Sequence, residues 1–376
     1  MRTTATVLRS MGHGSPFADS RPLERVELEL GQPAPGELLV RVRAAGLCHS
    51  DLSVITGKRP RVMPMALGHE AAGEVIEAGS ADSSFRAGDH VVLAFVPACG
   101  ECDFCAQGRP ALCEAGAAAN NAGTLLDGHC LMHEEDGGEI HHHLGVSAFA
   151  DHIVVSEKSA VVVPDDLPFE IAALFGCAVL TGAGAMLNTA AETLPARSVG
   201  IFGLGGVGLA ALIAARSQGA TEIVAVDRVP AKLELARELG ATILIDAAEG
   251  EVPARIREKT GGGVEVAIET VGHEAVLAEA YAATRRGGMT VTAGLPHPDS
   301  ELRIPALSLV AEERTLKGSY LGSCVPARDI PKFIAMYRDG NLPVDQLLSH
   351  TLTPDQINEG FDRLASGEAV RQVVLF

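Results

Sequence analysis

Short apolar runs, punctuated by glycine, proline and aspartate, fill the first 160 residues. Residues 37–43 (ELLVRVR) and 72–76 (AGEVI) have the length and alternation of strands, so this half reads as mostly β. The pattern changes near Pro164. Residues 169–187 are apolar, rich in alanine and glycine, and read as helix. From Ser198 onward, apolar runs of strand length alternate with segments of helical period such as 231–239 (AKLELAREL). Strands are expected at 199–202, 222–226, 242–245, 264–268 and 289–293. Such alternation predicts an α/β fold with a parallel, doubly wound sheet. After residue 322 the alternation lapses, and the tail 323–376 is expected to pack back on the first half. No solenoid repeat or low-complexity tract interrupts the chain.

One junction in the second half carries chemistry. The run 199–202 ends in Gly203-x-Gly205-Gly206-Val207-Gly208, a helical segment follows, and the next run stops at Asp227. Gly203 permits a tight turn, Gly205 lets the backbone approach a pyrophosphate, and Gly208 lets helix and strand pack closely. The helix N-terminus offers unpaired N–H groups and partial positive charge to phosphates. Asp227 can accept hydrogen bonds from the hydroxyls of an adenine ribose. A lone glycine motif also serves plain turns, but the whole strand–turn–helix–strand–acid order is present here, and it points to dinucleotide binding.

Composition narrows the setting. A chain of 376 residues has room for two domains with ample core. With 21% charged and 47% hydrophobic residues it reads as an ordinary globular protein. A formal charge of −18 disfavours nucleic acid and anionic membrane as partners, and serves solubility. No run approaches the ~20 apolar residues of a membrane span, and the N-terminal stretch lacks a secretory core. Eight cysteines in this context point to a reducing compartment, the cytoplasm, and to metal ligands more than to disulfides.

Four of those cysteines form Cys99-x2-Cys102-x2-Cys105-x7-Cys113. Four closely spaced thiolates can wrap one tetrahedral zinc ion with no open position, which makes a structural site that stabilises a lobe with little core of its own. An iron–sulfur cluster takes the same ligand set, and a pair of disulfides is the bland alternative. The remaining cysteines are Cys48, Cys130, Cys177 and Cys324. Taken alone, Cys48, His69 and Cys177 are each ambiguous, because a cysteine is most often a small buried hydrophobe.

The order GLCHSD, GHE, the four-cysteine motif, GCAVLTG, GLGGVGL, VD and a closing GEAVRQVVLF resembles the zinc-dependent medium-chain alcohol dehydrogenases over essentially the whole chain. Residues 114–145 resemble the extra loop of the longer, usually dimeric members. The resemblance implies a GroES-like, β-rich catalytic domain over 1–178, completed by 322–376, and a Rossmann NAD-binding domain over 179–321. It implies Cys48, His69 and Cys177 as ligands of a catalytic zinc, beside the structural zinc of Cys99, Cys102, Cys105 and Cys113. Glu70 matches the acid behind the metal, Asp51 the carboxylate that orients a ligand histidine, and Ser50 the hydroxyl that takes the substrate proton. On the cofactor side, Gly203, Gly205, Gly206, Val207 and Gly208 match the pyrophosphate turn, and Asp227 and Lys232 the ribose contacts. Val271 falls near the nicotinamide, and His49 and Arg371 match pyrophosphate contacts. Phe95 and His143 match positions that line the substrate pocket. The implied reaction takes a hydride from an alcohol to NAD⁺ and leaves an aldehyde or ketone, in a homodimer.

Three departures shape the expectation. His49 stands where many relatives place arginine, and histidine gives a weaker, pH-dependent contact. Ser53 stands where some members end the proton relay in histidine. Relatives that oxidise the glutathione adduct of formaldehyde carry an acid and an arginine where this chain has Arg59 and Ala117. Primary alcohols, aliphatic or aromatic, are therefore the expected substrates; the thiol adduct, or a silent NAD-binding relative, are the alternatives. The run His141-His142-His143 invites a metal reading but is expected to be a loop near the pocket.

Overall fold

The computed structural model describes residues 1–376. Its strands run β1 (Arg2–Leu8), β2 (Leu23–Leu30), β3 (Glu37–Gly46), β4 (Met65–Ala66), β5 (Glu70–Ala78), β6 (His90–Leu93), β7 (Met132–His133), β8 (Glu139–His142), β9 (His152–Ser156) and β10 (Ala160–Val162). Then come β11 (Ser198–Phe202), β12 (Glu222–Asp227), β13 (Ile243–Asp246), β14 (Val264–Glu269), β15 (Thr284–Thr292) and β16 (Thr315–Gly318), and finally β17 (Leu348–Leu352) and β18 (Arg371–Leu375). Contacts divide the chain into two compact units. The first holds Met1–Cys177, Val325–Pro331 and Leu348–Phe376; the second holds Ala178–Cys324 and Lys332–Leu347. Residues 332–347 thus group with the second unit, although the resemblance implied that all of 322–376 completes the first.

The first unit is the expected β-rich one. Strands β1, β2, β7, β8 and β4 close a barrel, and β10, β6, β5, β3, β18 and β17 form a sheet to which β9 adds on β3. The C-terminal tail joins because its patterns demand burial. Ile357, Phe361 and Leu364 recur on one face of the helix Ile357–Ser366 and are buried. Phe361 meets Phe149 with ring centroids 6.1 Å apart, and hiding one such side chain contributes about 1.5–3 kcal/mol. Strand β18 then runs antiparallel to β3, with Val373 opposite Gly46.

The second unit is a six-stranded parallel sheet in the order β13-β12-β11-β14-β15-β16. The five expected strands are all present, with ends shifted by a residue or two, except that β15 begins at Thr284. The sixth, β16, was not anticipated. It lies at the sheet edge, beside β15 alone, and its residues TLKG offer no apolar run. The helix expected over 169–187 is broken. Phe169–Leu174 and Ala178–Gly184 are separate helices. Gly176 lies in the gap, where a Cβ would come within 2.5 Å of the Leu93 carbonyl oxygen.

Of the three adjacent histidines, His142 is fully buried in the barrel. Its Nε2 accepts the Leu131 N–H at 3.2 Å. Burial, helped by the neighbouring His129, His141 and His133, pushes it down to about 3. The folded state therefore holds it neutral. Its contribution is complete above the unfolded value of ~6.5 and is lost as pH falls from there toward 3, by up to ~1.4 kcal/mol per pH unit. His142→Gln keeps an acceptor that cannot charge. Urea melts between pH 6.5 and 5 should show stability falling more steeply in the native protein, by about one proton. Equal slopes would contradict a buried neutral imidazole.

Candidate active site

Two neighbouring strand ends build the first cluster. Gly46, at the end of β3, pairs with Glu70 at the start of β5. A Cβ on Gly46 would lie 2.7 Å from Glu70 Oε1, so glycine leaves the space the carboxylate fills. Just before Glu70, Gly68 adopts φ +94, and a Cβ there would lie 2.6 Å from the Phe149 nitrogen. That left-handed turn, which glycine takes at no steric cost, delivers His69 into the interior. From the other side, extended Cys48 leads into the helix His49–Ile55. The break after Leu174 brings in Cys177. The ligand atoms of Cys48, His69 and Cys177 lie within 4.8 Å of one another, and all three residues are buried.

Asp51 orients the histidine. Its Oδ1 accepts from the Gly68 N–H at 3.1 Å and from His69 Nδ1 at 3.1 Å. That fixes the proton on Nδ1 and leaves the buried Nε2 with no hydrogen-bond partner. His143 Nδ1 approaches the same oxygen to 3.0 Å without the alignment of a hydrogen bond. Burial alone would raise the Asp51 carboxyl, but the imidazoles of His69 and His143 hold it at about 2. Asp51, His69 and His143 also converge, yet the oxygen they share already receives two N–H groups, so this is bracing and not a second ligand set.

The charges around the cluster are strongly displaced. A hydrogen bond from Cys177 holds the Cys48 thiol well below its ordinary value against burial, with Arg371 and His69 adding attraction. Cys177 is pushed up correspondingly. Burial pushes Glu70 up to about 7 while Arg371 opposes the rise. Arg371 is itself buried, with Nη1 3.6 Å from Glu70 Oε2 and donating to the Leu47 carbonyl at 3.1 Å. Phe95 packs edge-on to His69 with ring centroids 5.5 Å apart, and His143 does so at 5.4 Å. Asn120, which the sequence reading passed over, donates to the Phe95 carbonyl at 3.0 Å and holds that ring's backbone. Its place in an Ala- and Gly-rich stretch gave no signal.

The two serines of the helix differ. Ser50 is half-buried in its first turn, and it takes no part in the helix cap, where Cys48 is the flanking residue. Ser53 donates to its own helix, to the His49 carbonyl at 2.8 Å. His49 is exposed.

The second cluster is Cys99, Cys102, Cys105 and Cys113, whose sulfurs lie within 4.8 Å of one another. None of the eight cysteines is joined in a disulfide, so the disulfide alternative falls away. Backbone N–H groups point at the sulfurs: Cys99 and Gly116 donate to Cys113 Sγ at 3.2 and 3.3 Å, and Cys102 donates to Cys99 Sγ at 3.3 Å. Such donors favour thiolates.

The glycine turn lies in the second unit. Gly203 has φ +91, and a Cβ on Gly208 would sit 1.8 Å from the Gly203 oxygen, so the helix Gly206–Ser217 packs close on the turn. Nothing lies within 4 Å of where a Gly205 Cβ would stand, and that face of the backbone is open to a ligand. Val207 is the second residue of the same helix. Asp227 braces the turn, accepting from Leu204 N–H at 2.8 Å and Val229 N–H at 3.0 Å. Lys232 is buried nearby; burial lowers it and Asp227 raises it. Val271, beyond the end of β14, is 52% exposed although apolar. Thr270, which sequence reasoning missed, ties that segment to the turn by donating to the Gly203 carbonyl at 3.0 Å.

Comparison with known proteins finds relatives over the whole chain. Residues 34–165 match the alcohol dehydrogenase GroES-like domain, and residues 206–339 match the zinc-binding dehydrogenase family. The chain is 35% identical to an S-(hydroxymethyl)glutathione dehydrogenase of Paracoccus denitrificans, with 100% of both chains covered. It is 37% identical to putative alcohol dehydrogenase D of Mycobacterium tuberculosis, again with 100% of both covered. An alcohol dehydrogenase zinc-binding domain protein from Burkholderia ambifaria superposes with a TM-score of 0.93 at 37% identity, over 100% of this chain and 99% of that one. The benzyl alcohol dehydrogenase of Acinetobacter calcoaceticus does so with a TM-score of 0.92 at 33% identity and the same coverage.

Proposed function

Because the chain belongs to the zinc-dependent medium-chain alcohol dehydrogenases, we propose that it oxidises primary aliphatic or aromatic alcohols with NAD⁺, using a catalytic zinc at Cys48, His69 and Cys177. The observation that carries this reading is the orphaned, buried Nε2 of His69, converging with two thiols. Two sulfurs and one imidazole are a donor set that zinc takes, and three protein ligands leave it one open position. The four sulfurs of Cys99, Cys102, Cys105 and Cys113 suit a second, closed zinc site. When bound, zinc supplies a Lewis acid that makes an alcohol hydroxyl far more acidic, and NAD⁺ supplies the hydride acceptor.

The chain's own residues do the rest. Asp51 locks the tautomer and orientation of His69. Ser50 Oγ, held in no helix cap, takes up the substrate proton. Phe95 presents an apolar wall. Lys232 and Asp227 receive the adenine ribose, the backbone at Gly205, open on one face, and at its neighbour Gly206 the pyrophosphate, and Val271 one face of the nicotinamide. His49 and Arg371 are proposed as further pyrophosphate contacts, and Glu70 as the acid behind the metal.

Following NADH absorbance with a panel of primary alcohols tests this reading, with S-hydroxymethylglutathione as one member. Turnover of simple aliphatic or aromatic alcohols is expected. Turnover of the glutathione adduct alone would favour the alternative, and no turnover at all would make the chain a silent relative.

Asp227 also decides between cofactors. Its carboxylate would repel a 2′-phosphate, so kcat/KM should favour NAD⁺ over NADP⁺. Asp227→Gly should narrow that ratio by about tenfold or more, equivalent to about 1.4 kcal/mol. Equal use of both cofactors by the native protein would contradict the assignment.

The proposed assembly is a homodimer. Strand β16 has only one neighbour in its sheet, and the helix Ala306–Ala311, which precedes it in the chain, exposes Leu307 and Val310 at 76% and 80%. Exposed apolar residues and an open sheet edge support pairing with a second copy. A sedimentation mass of a single chain would contradict it. No helix is long and apolar enough to cross a membrane. Eight cysteines with no disulfide among them support a cytoplasmic setting, and recovery of the protein from an oxidising compartment would contradict it.

A further inference from the structure

We propose that Glu269 is the positioning residue for the nicotinamide end of the cofactor, its carboxylate clamping two strand ends into one preformed ledge. The proposal rests on the NAD reading above. Glu269 is the last residue of β14 and only 1% exposed. Its Oε1 accepts from the N–H groups of Val271 and Gly272, at 2.6 and 2.7 Å. Its Oε2 accepts from Thr292 Oγ1, at the end of the adjacent β15, at 2.7 Å. The Glu269 backbone carbonyl accepts from Ala293 and Gly294 N–H at 2.8 and 3.2 Å. One residue therefore binds both exits from the sheet.

The two exits also touch backbone to backbone. A Cβ on Gly294 would lie 2.1 Å from the Gly272 nitrogen, and a Cβ on Gly272 2.7 Å from the Leu295 nitrogen. The contact leaves two large apolar side chains outward, Val271 at 52% and Leu295 at 47% exposure. They stand at the carboxyl ends of parallel strands beside the glycine turn, which is where a doubly wound sheet takes its ligand. A rigid apolar ledge suits a flat aromatic ring. Holding it before the ligand arrives removes an ordering cost from binding. The acid that does so touches no ligand itself.

The test compares NADH with ADP-ribose, which lacks the nicotinamide, by calorimetric titration of full-length protein. Glu269→Ala should weaken NADH about tenfold or more, as expected for several hydrogen bonds lost from a buried group, and leave ADP-ribose within about twofold. Glu269→Gln keeps the oxygen that serves Val271 and Gly272 and should recover most of the NADH affinity. Thr292→Val cuts only the Oε2 bond, should give a smaller but selective loss, and serves if the alanine variant does not fold. Equal weakening of both ligands, or no weakening in any variant, would overturn the proposal. Native protein that binds neither ligand would instead overturn the cofactor reading on which it rests.

Discussion

Cys177→Ala is expected to remove turnover while leaving a folded protein that still binds NAD. Cys177 lies in the gap between two helices, so a smaller side chain there disturbs no helix interior. Its sulfur is one of only three ligand atoms gathered there, with those of Cys48 and His69. Losing a residue that merely supports a ligand costs 10–100-fold in metal affinity or activity, so losing a ligand should exceed ~100-fold. The residues from Gly203 to Val271 that are proposed to bind the cofactor belong to the other compact unit and should be untouched. Cys105→Ala should do the reverse. A zinc held by all four cysteines would have no open position and would contribute folding free energy, so the melting temperature should fall by several degrees while the remaining folded fraction keeps its chemistry. Measuring Tm, NADH affinity and kcat on both variants decides the matter. Swapped phenotypes would mean that the two metal sites are assigned backwards.

Ser50→Ala should lower kcat/KM by roughly the 10²–10⁴ typical of a group that moves a proton in the transition state. The competing explanation is that Ser50 is structural, a cap whose loss costs about 1 kcal/mol. The geometry speaks against that explanation, because the flanking cap residue is Cys48 and it makes no side-chain cap bond. Ser50→Thr keeps a hydroxyl and should retain most activity. Ser53→Ala should do little, since Ser53 Oγ is turned back onto the His49 carbonyl. Ser53→His introduces a base and should raise the rate at low pH. Tm and kcat/KM are measured together on Ser50→Ala. An early-melting protein with normal turnover would exclude the relay.

How much of this was legible beforehand depended on how local each signal is. Strands β11, β12 and β14 are buried on both faces and announce themselves as apolar runs. The glycine turn was legible because Gly203 and Gly208 answer local constraints, a positive φ at the first and close contact with the Gly203 carbonyl at the second. Strand β16 was invisible because an edge strand can be mostly solvent-facing. The apolar stretch around Phe175 looked like one helix because nothing in its own residues records the close approach of Leu93 to Gly176. The grouping of Cys48, His69 and Cys177 has no spacing signature at all; resemblance suggested it and folding brings the atoms together. Glu269 reads as an acid ending a strand, and such an acid ordinarily faces water. Its burial is created by β15 and the turn at Gly272, and no pattern around residue 269 shows either.

Zinc content of the purified native protein, counted per chain beside the Cys177→Ala and Cys105→Ala variants, tests the central claim most directly. Two zinc ions are expected in the native protein. One is expected in Cys177→Ala, with activity gone, the four-cysteine site still filled and the fold intact. Full activity in native protein holding one zinc or none, or two zinc ions retained by Cys177→Ala, would contradict the claim that Cys48, His69 and Cys177 hold the catalytic metal.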